Sequence, residues 1–157
     1  MIKNLFRTAL LALCLPALAI PGVALANASE TKTSTNKNNA DFVNGKRAIE
    51  SKDWKAAIDA FSKAAQSEPD NADIHNYLGY AYRNSGDIDK AFLHYERALR
   101  LDPNHRGAHE YVGQAYLLVN KPRQAGEHLV ILEKICGKDC EEYQDLARAI
   151  AAYNKGK

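Results

Sequence analysis

Cys136 and Cys140 are the residues whose type and spacing point most directly to chemistry. They stand in the stretch ICGKDCEEY, with a Gly-Lys-Asp turn between them. Two cysteines at this spacing could form a disulfide, act as a redox couple or bind a soft metal ion such as Cu(I) through their thiolates. The local sequence does not decide among the three, because each needs only a pair of nearby sulfur atoms.

The compartment of the chain bears on this choice. Residues 1–26 contain two early cations, an apolar run and then ALAN, with the small residues Ala24 and Ala26 where a signal peptidase cleaves. We therefore predict a signal peptide over 1–26, cleavage near Ala26, and a periplasmic or secreted mature chain. An oxidising compartment favours a disulfide between Cys136 and Cys140.

Two alternatives for the cysteine pair are weaker. Redox couples usually have two residues between the cysteines rather than three, and the haem-attachment pattern CxxCH is absent. A copper site is the sharper alternative, since His128 lies two helical turns before Cys136 and thiolates suit Cu(I). His105 and His109 are four residues apart, but no further ligand is placed beside them, so we expect no metal site there.

Charge and motifs bear on the class of function. The chain has 21 Lys and Arg against 19 Asp and Glu, and Lys3 and Arg7 leave with the signal peptide, so the mature chain is formally neutral. This balance gives no reason to expect a nucleic-acid partner. No nucleophile elbow, phosphate loop or HExxH motif is present, so we expect neither an enzyme nor a cofactor.

Beyond the signal peptide the sequence divides into two parts. Residues 27–39, NASETKTSTNKNN, are polar and lack an apolar period, and we predict a disordered linker. Residues 40–155 are enough for one domain. We expect the mature chain not to insert into a membrane.

The domain repeats itself every 34 residues. Glycine recurs at Gly45, Gly79 and Gly113, and the other columns of the repeat hold small or large apolar residues: Ala48, Tyr82 and Tyr116; Ala57, Ala91 and Ala125; Phe61, Tyr95 and Leu129; Ala64, Ala98 and Leu132. Small residues allow two helices to cross closely while large ones fill the space beside them. This period predicts a solenoid of helix-turn-helix units.

The stretch YLGYAYRNSGDIDKAFLHYERALRLDPN resembles a nearly complete tetratricopeptide repeat (TPR). The resemblance implies an all-α, right-handed TPR solenoid of three repeats, at about 38–71, 72–105 and 106–139. The same register continues into a capping helix at about 139–154. Among its residues, Tyr143, Leu146, Ala147 and Ile150 should pack on the third unit, while Glu141, Gln144, Asp145 and Arg148 face water.

Helix ends are also marked. Asp53 and Asp87 stand where a side-chain oxygen can cap a second helix, and Pro122 suits a first helical turn. Gly137 should end the second helix of unit three. Asp139 and Glu142 have the spacing of a capping box for the final helix.

The family resemblance implies that first helices line a concave groove that binds a partner peptide or protein. By register the groove includes Lys46, Asn76, Tyr77, Tyr80, Arg83, Asn84, Tyr111 and Gln114, and Glu110, Leu117 and Leu118 share these columns. Tyr, Arg and Asn suit peptide binding. We assign Tyr80 and Arg83 to binding rather than to helix packing. For Tyr77 and Tyr111, partial packing between neighbouring helices is the alternative to binding.

The carboxylate clamp of the family's chaperone-binding members is not expected here. Of the matching positions only Lys46 has a suitable side chain, because the others hold Phe42, Tyr77, Gly107 and Tyr111.

The sequence thus predicts an exported scaffold or adaptor for another protein. Two alternatives stay open, namely an assembly factor for an envelope complex and a copper-handling protein that uses Cys136 and Cys140. Self-association through the first unit is a further possibility.

Overall fold

The computed structural model describes residues 39–156. The predicted signal peptide and nearly all of the predicted linker lie outside the described residues. Seven α-helices follow one another within the described range: α1 (Ala40–Glu50), α2 (Trp54–Ser67), α3 (Ala72–Ser85), α4 (Ile88–Leu101), α5 (Arg106–Leu118), α6 (Pro122–Cys136) and α7 (Glu141–Lys155). These residues contain no strand, and none of their helices has the length and apolar character needed to cross a bilayer.

The helices pack as successive antiparallel pairs. The helices α1 and α2, α3 and α4, and α5 and α6 form the three pairs, and α7 packs on both α5 and α6. The odd-numbered helices also contact one another, since α3 touches α5 and α5 touches α7. The prediction of an all-α solenoid of three helix-turn-helix units with a capping helix is confirmed.

Glycine allows the close crossing within the first two pairs. A Cβ atom at Gly79 would lie 2.5 Å from Cε1 of Tyr95, and one at Gly45 would lie 2.7 Å from the ring of Phe61. Both aromatic rings are fully buried. Each therefore uses the space that the missing side chain leaves on the facing helix.

The third unit fills this space differently. A Cβ atom at Gly113 would lie 2.6 Å from Cδ2 of Leu146, which belongs to α7. The column position on α6 is Leu129, which is shorter than the aromatic residues of the first two units and only partly buried. The helix α7 thus completes the core of unit three, and Leu146 is fully buried, as expected for a capping helix.

The helix-end residues predicted from the sequence are confirmed for the second helix of each unit, α2, α4 and α6. Asp53 accepts a hydrogen bond from the N–H of Ala56, and Asp87 accepts one from the N–H of Lys90. Pro122 opens α6, and that helix ends at Gly137, whose φ of 80° favours glycine.

The capping box predicted for the last helix is wrong. The N-cap of α7 is Cys140 rather than Asp139, and no side chain caps this end. Glu142 lies 3.4 Å from Nε of Arg106 on α5, so its carboxylate forms an ion pair with a neighbouring helix instead.

Candidate functional site

The predicted groove residues follow one another across the first helices of the three units. Lys46 on α1 is exposed, and its Nζ lies 5.5 Å from the ring centre of Tyr77 on α3. The Tyr77 ring stacks in turn on Phe61 at 5.3 Å and is half-buried. The first groove contact therefore joins units one and two through a cation above an aromatic face.

Tyr80, Arg83 and Tyr111 form the centre of the row. The guanidinium carbon of Arg83 lies 5.2 Å from the ring centre of Tyr80 and 5.4 Å from that of Tyr111. The two rings are 4.9 Å apart. Trp54 on α2 extends the row, since its ring lies 6.1 Å from that of Tyr80. Burial holds the pKa of the Tyr111 hydroxyl well above its usual range.

Arg83 also holds two helices together through hydrogen bonds. Its Nη1 donates to the carbonyl oxygen of Tyr111 at 3.3 Å and to Oε1 of Gln114 at 2.7 Å. Gln114 then donates from Nε2 to Oε1 of Glu110 at 2.8 Å. Arg83 and Tyr80 therefore take part in the packing of α3 against α5, which corrects their assignment to binding alone.

The two asparagines of the predicted groove differ in their exposure. Asn84 is exposed and donates from Nδ2 to the carbonyl of Tyr80 at 2.8 Å. Asn76 is 4% exposed, and a Cβ atom at Gly107 on α5 would lie 3.1 Å from its Nδ2. The Oδ1 atom of Asn76 is buried and has no hydrogen-bond partner among the described residues.

A polar cleft of about 690 Å³ lies between α3, α5 and α7. Six carboxylates and one guanidinium line it, together with Asn76. We call it the acidic cleft and define it by four residues: Asn76, Glu110, Glu142 and Asp145. A smaller cleft of about 370 Å³ lies where the same helices end. Leu117, Leu118, Ala149 and Tyr153 line it, together with the polar side chains of Arg83, Asn84 and Gln114. We call it the apolar cleft.

Glu110 is the most buried acid of the acidic cleft, at 7% exposed. Burial first, and then the nearby carboxylate of Asp145, raise its pKa to about 7, while Arg83 acts in the opposite direction. The groove columns contained Glu110, but Asp145 was expected to face water and Glu142 to cap α7. The structure instead places Glu142 and Asp145, both half-buried, beside Glu110.

The cysteine pair lies at the turn between α6 and α7. The two sulfur atoms are 2.05 Å apart, which is bonding distance, and the Cα atoms are 5.9 Å apart. The carboxylate of Glu142 lies within 4.8 Å of both sulfur atoms. His128, the ligand considered for copper, instead contacts His109, with 2.8 Å between their Nδ1 atoms.

Two histidine pairs repeat at the 34-residue period, on the interface between the helices of a unit. His75 contacts His94 in unit two, as His109 contacts His128 in unit three. His75 and His109 also lie 2.9 Å from a proline carbonyl through Nε2, which must therefore donate the proton. His105 and His109 have different contacts. The Nδ1 atom of His105 caps α5, and its Nε2 atom is 3.0 Å from Asp73.

Two features of the site were missed in the sequence. Trp54 opens a second helix, so the groove columns of the first helices did not include it. Glu142 was interpreted as a helix cap. The same 34-residue register that places Leu146 on α7 could have placed Glu142 and Asp145 beside the groove columns, since both lie within one turn of Leu146.

Comparison with known proteins agrees with this architecture. Residues 42–106 match the family model described as tetratricopeptide repeat. The chain is similar in structure to the TPR2B domain of yeast Sti1 in a complex with pHsp70, with a TM-score of 0.68, 17% identity, and coverage of 74% of this chain and 95% of that one. No curated protein matches the chain in sequence.

Two further structures show the same fold. The TPR domain of Arabidopsis OM64 has a TM-score of 0.65 and 16% identity, and covers 73% of this chain and 92% of that one. The first TPR of Spaghetti (RPAP3), bound to the HSP90 peptide SRMEEVD, has a TM-score of 0.62 and 18% identity, and covers 71% of this chain and 87% of that one.

Proposed function

Because the chain is a tetratricopeptide-repeat protein, we propose that it is an interaction scaffold that holds a segment of a partner protein in its groove. The observation that carries this proposal is the row of Lys46, Tyr77, Tyr80, Arg83 and Tyr111, which joins three helices. Aromatic and arginine side chains provide large, rigid contact areas with polar tips, and such residues dominate the binding energy of many interfaces.

The similar structures support a protein or peptide as the ligand. The yeast domain is a complex with pHsp70, and the Spaghetti domain is bound to an HSP90 peptide. Tetratricopeptide repeats are an interaction fold rather than an enzyme fold, and we extend this non-enzymatic role to the present chain. Its own partner is not expected to be one of these chaperones, because the carboxylate-clamp positions are occupied by Phe42, Gly107 and two tyrosines.

We further propose that the scaffold works in the periplasm or outside the cell. The leader pattern over 1–26 supports export, and a pair of cysteines that can form a disulfide suits an oxidising compartment. A narrower form of the same function is assembly of an envelope complex. It is favoured if the captured partners are subunits of one complex, and disfavoured if they are unrelated proteins.

A capture experiment tests the groove. The immobilised chain is used to capture proteins from the exported fraction of the producing cells, and the bound partners are identified by mass spectrometry. The groove variant Lys46→Ala/Asn84→Ala changes two exposed residues that do not join helices through hydrogen bonds. The control variant Lys63→Ala/Gln66→Ala changes two exposed residues of α2.

The two variants separate the groove from the rest of the surface. Capture should fall about tenfold with the groove variant, since a combined loss of about 1.4 kcal/mol from two truncated binding residues changes the affinity by that factor. It should be unchanged with the control. The groove proposal is wrong if capture tolerates the groove variant and is lost with the control. Light scattering of the free chain tests self-association independently.

Metal handling by the reduced cysteine pair is a second candidate. Cys136, Cys140 and Glu142 form a group of three possible ligands whose atoms lie within 4.8 Å of one another. Two thiolates suit Cu(I). Titration of the reduced chain with Cu(I), with Cys140→Ser as control, should show a stoichiometric site that the variant lacks. Absence of any difference between the two proteins contradicts this candidate.

A further inference from the structure

The three acidic residues of the acidic cleft differ in the groups that contact them. At its edge, Glu142 pairs with Arg106, and Asp145 forms an ion pair with Arg148 on its own helix. Glu110 is deeper, and it accepts a hydrogen bond from the neutral amide of Gln114. The acids at the edge are therefore partly neutralised, whereas the hydrogen-bond donor of the buried acid is uncharged.

Asn76 gives an independent observation in the same cleft. Its side chain is 4% exposed and lines the cleft, and its Oδ1 atom has no hydrogen-bond partner among the described residues. A buried acceptor without a donor is unfavourable, and a ligand in the cleft that brings a donor would satisfy it. A ligand for this position must bring an N–H or O–H donor.

The cleft thus presents acceptors where a ligand would enter. Carboxylates and an amide oxygen accept hydrogen bonds, and the side chains that offer several donors together with a positive charge are those of lysine and arginine. A single metal ion is a poorer match. Among residues 39–156, the one group of three close metal ligands is that of the cysteine pair with Glu142, and it does not include Glu110.

We propose that the acidic cleft binds a lysine or arginine side chain of the partner segment, which makes this scaffold selective for a basic partner. This inference rests on the proposed function and names the chemistry of its partner. It also separates the chain from the Spaghetti domain, whose bound peptide SRMEEVD is acidic at its end. A carboxylate in the acidic cleft would face Glu110, Glu142 and Asp145 and would be repelled.

The apolar cleft adds a second feature of the partner. Glu110 and Leu117 are seven residues apart on α5, which corresponds to about 10 Å at a rise of about 1.5 Å per residue. An extended peptide covers that length in about three residues at about 3.3 Å each. The favoured segment therefore has a basic residue and, about three residues away, an apolar residue that reaches Leu117 and Leu118.

Synthetic peptides test the charge preference without knowledge of the natural partner. The basic peptide is a fluorescein-labelled Gly-Ser chain with three Lys residues, each followed at the third position by Leu. The acidic peptide has Glu in place of Lys, and a neutral one has acetyl-lysine. The dissociation constant of each is measured by fluorescence anisotropy with the full chain, at low and at moderate salt.

The basic peptide should bind about tenfold or more tightly than the other two, and its affinity should fall as salt rises. At a pH well above 7, where most Glu110 is ionised, Glu110→Gln should weaken binding of the basic peptide by about fivefold or more, because it removes this charge while it keeps the size of the side chain. Glu142→Gln should also weaken binding of the basic peptide. This variant replaces Glu110→Gln in the test if Glu110→Gln does not fold. The control is Glu127→Gln, the same change at an exposed position of α6.

The outcomes separate this inference from the proposed function. Equal or tighter binding of the acidic peptide overturns the inference, as does an equal effect of Glu110→Gln and Glu127→Gln. If capture of natural partners depends on Lys46 and Asn84 while the peptides show no charge preference, the inference fails and the scaffold function stands. If capture also stays unchanged when Lys46 and Asn84 are replaced, both the inference and the proposed scaffold function fail.

Discussion

Arg83 on α3 donates a hydrogen bond to the backbone carbonyl of Tyr111 on α5, at 3.3 Å, while its guanidinium lies against the ring of the same residue. One side chain thus links two repeat units and also forms the centre of the groove. Binding and stability are therefore coupled at this position, so a loss of capture in an Arg83 variant is informative only if stability is measured beside it.

Arg83→Ala should lower the free energy of unfolding by about 1 to 2 kcal/mol, since hydrogen bonds of a charged donor contribute about 1.5 to 3 kcal/mol and this side chain is partly solvated. The measurement is urea unfolding followed by circular dichroism. Arg100→Ala removes an exposed arginine of α4 and should change stability by less than about 0.5 kcal/mol. Equal stability of the two variants would contradict the linking role of Arg83.

Gly79 should tolerate no larger residue. Gly79→Leu, and to a smaller extent Gly79→Ala, brings atoms within 2.5 Å of the Tyr95 ring, and overpacking of this kind costs about 1 to 3 kcal/mol or more. Gly126→Ala is the matched control, because nothing lies within 4 Å of its Cβ position on α6. This control should gain about 0.5 to 1 kcal/mol from helix propensity. Thermal unfolding of the three variants provides the comparison.

Tyr95→Phe should not destabilise the fold. The Tyr95 hydroxyl is buried and has no hydrogen-bond partner among the described residues, and burial raises its pKa far above the usual value. Removal of such a group should leave the free energy of unfolding unchanged or raise it by up to about 1 kcal/mol. Phe61 holds the same position in unit one without a hydroxyl. A loss of more than about 1 kcal/mol would show that the hydroxyl makes a stabilising contact.

Acid should weaken the fold through His94 and His128. Burial, and then the neighbouring histidine, lowers the pKa of each to about 4 from 6.5. The unfolded chain therefore binds more protons between about pH 6.5 and 4, so stability is complete above this window and falls as pH decreases through it. After a discount for partial solvation, each residue contributes on the order of 1 kcal/mol.

Urea unfolding at several pH values checks this dependence. His94→Phe keeps a ring against Tyr82, with which the imidazole stacks at 5.4 Å, and removes the titrating group. The difference in stability between the parent and this variant should change between pH 7 and pH 4. The raised pKa of Glu110 has the opposite effect, since it favours the folded state as pH falls from about 7. Glu110 is present in both proteins, so its contribution cancels in the difference between their stabilities. A constant difference contradicts the prediction.

Cys136 and Cys140 should be oxidised to each other in the exported protein. Mass spectrometry with thiol alkylation should find no free cysteine in the mature chain, because Cys14 is removed with the predicted signal peptide. Two alkylated thiols in the exported protein would rule out the disulfide. Closure of so short a loop restricts the unfolded chain by about 2 kcal/mol in the loop-entropy account, so Cys136→Ser/Cys140→Ser should be less stable by about that amount.

The sequence alone determined the features that depend on the period of 34 residues and on local backbone chemistry. The glycine and alanine columns identified the helix crossings, because a close approach requires a small residue at every equivalent crossing. Asp53, Asp87 and Pro122 marked helix starts correctly, since a cap acts within one turn of its own residue. The same periodicity placed Tyr77, Tyr80 and Tyr111 on one series of helices.

Only the tertiary structure decided which side chain meets which. Glu142 had the spacing of a helix cap but pairs with Arg106, and Arg83 was assigned to the groove but also joins α3 to α5. The acidic cleft is likewise formed by residues from three helices, Asn76, Glu110 and Asp145 among them. Spacing along one helix fixes the face on which a residue lies. The partner on another helix depends on distances through space, and these are set only when the helices have packed.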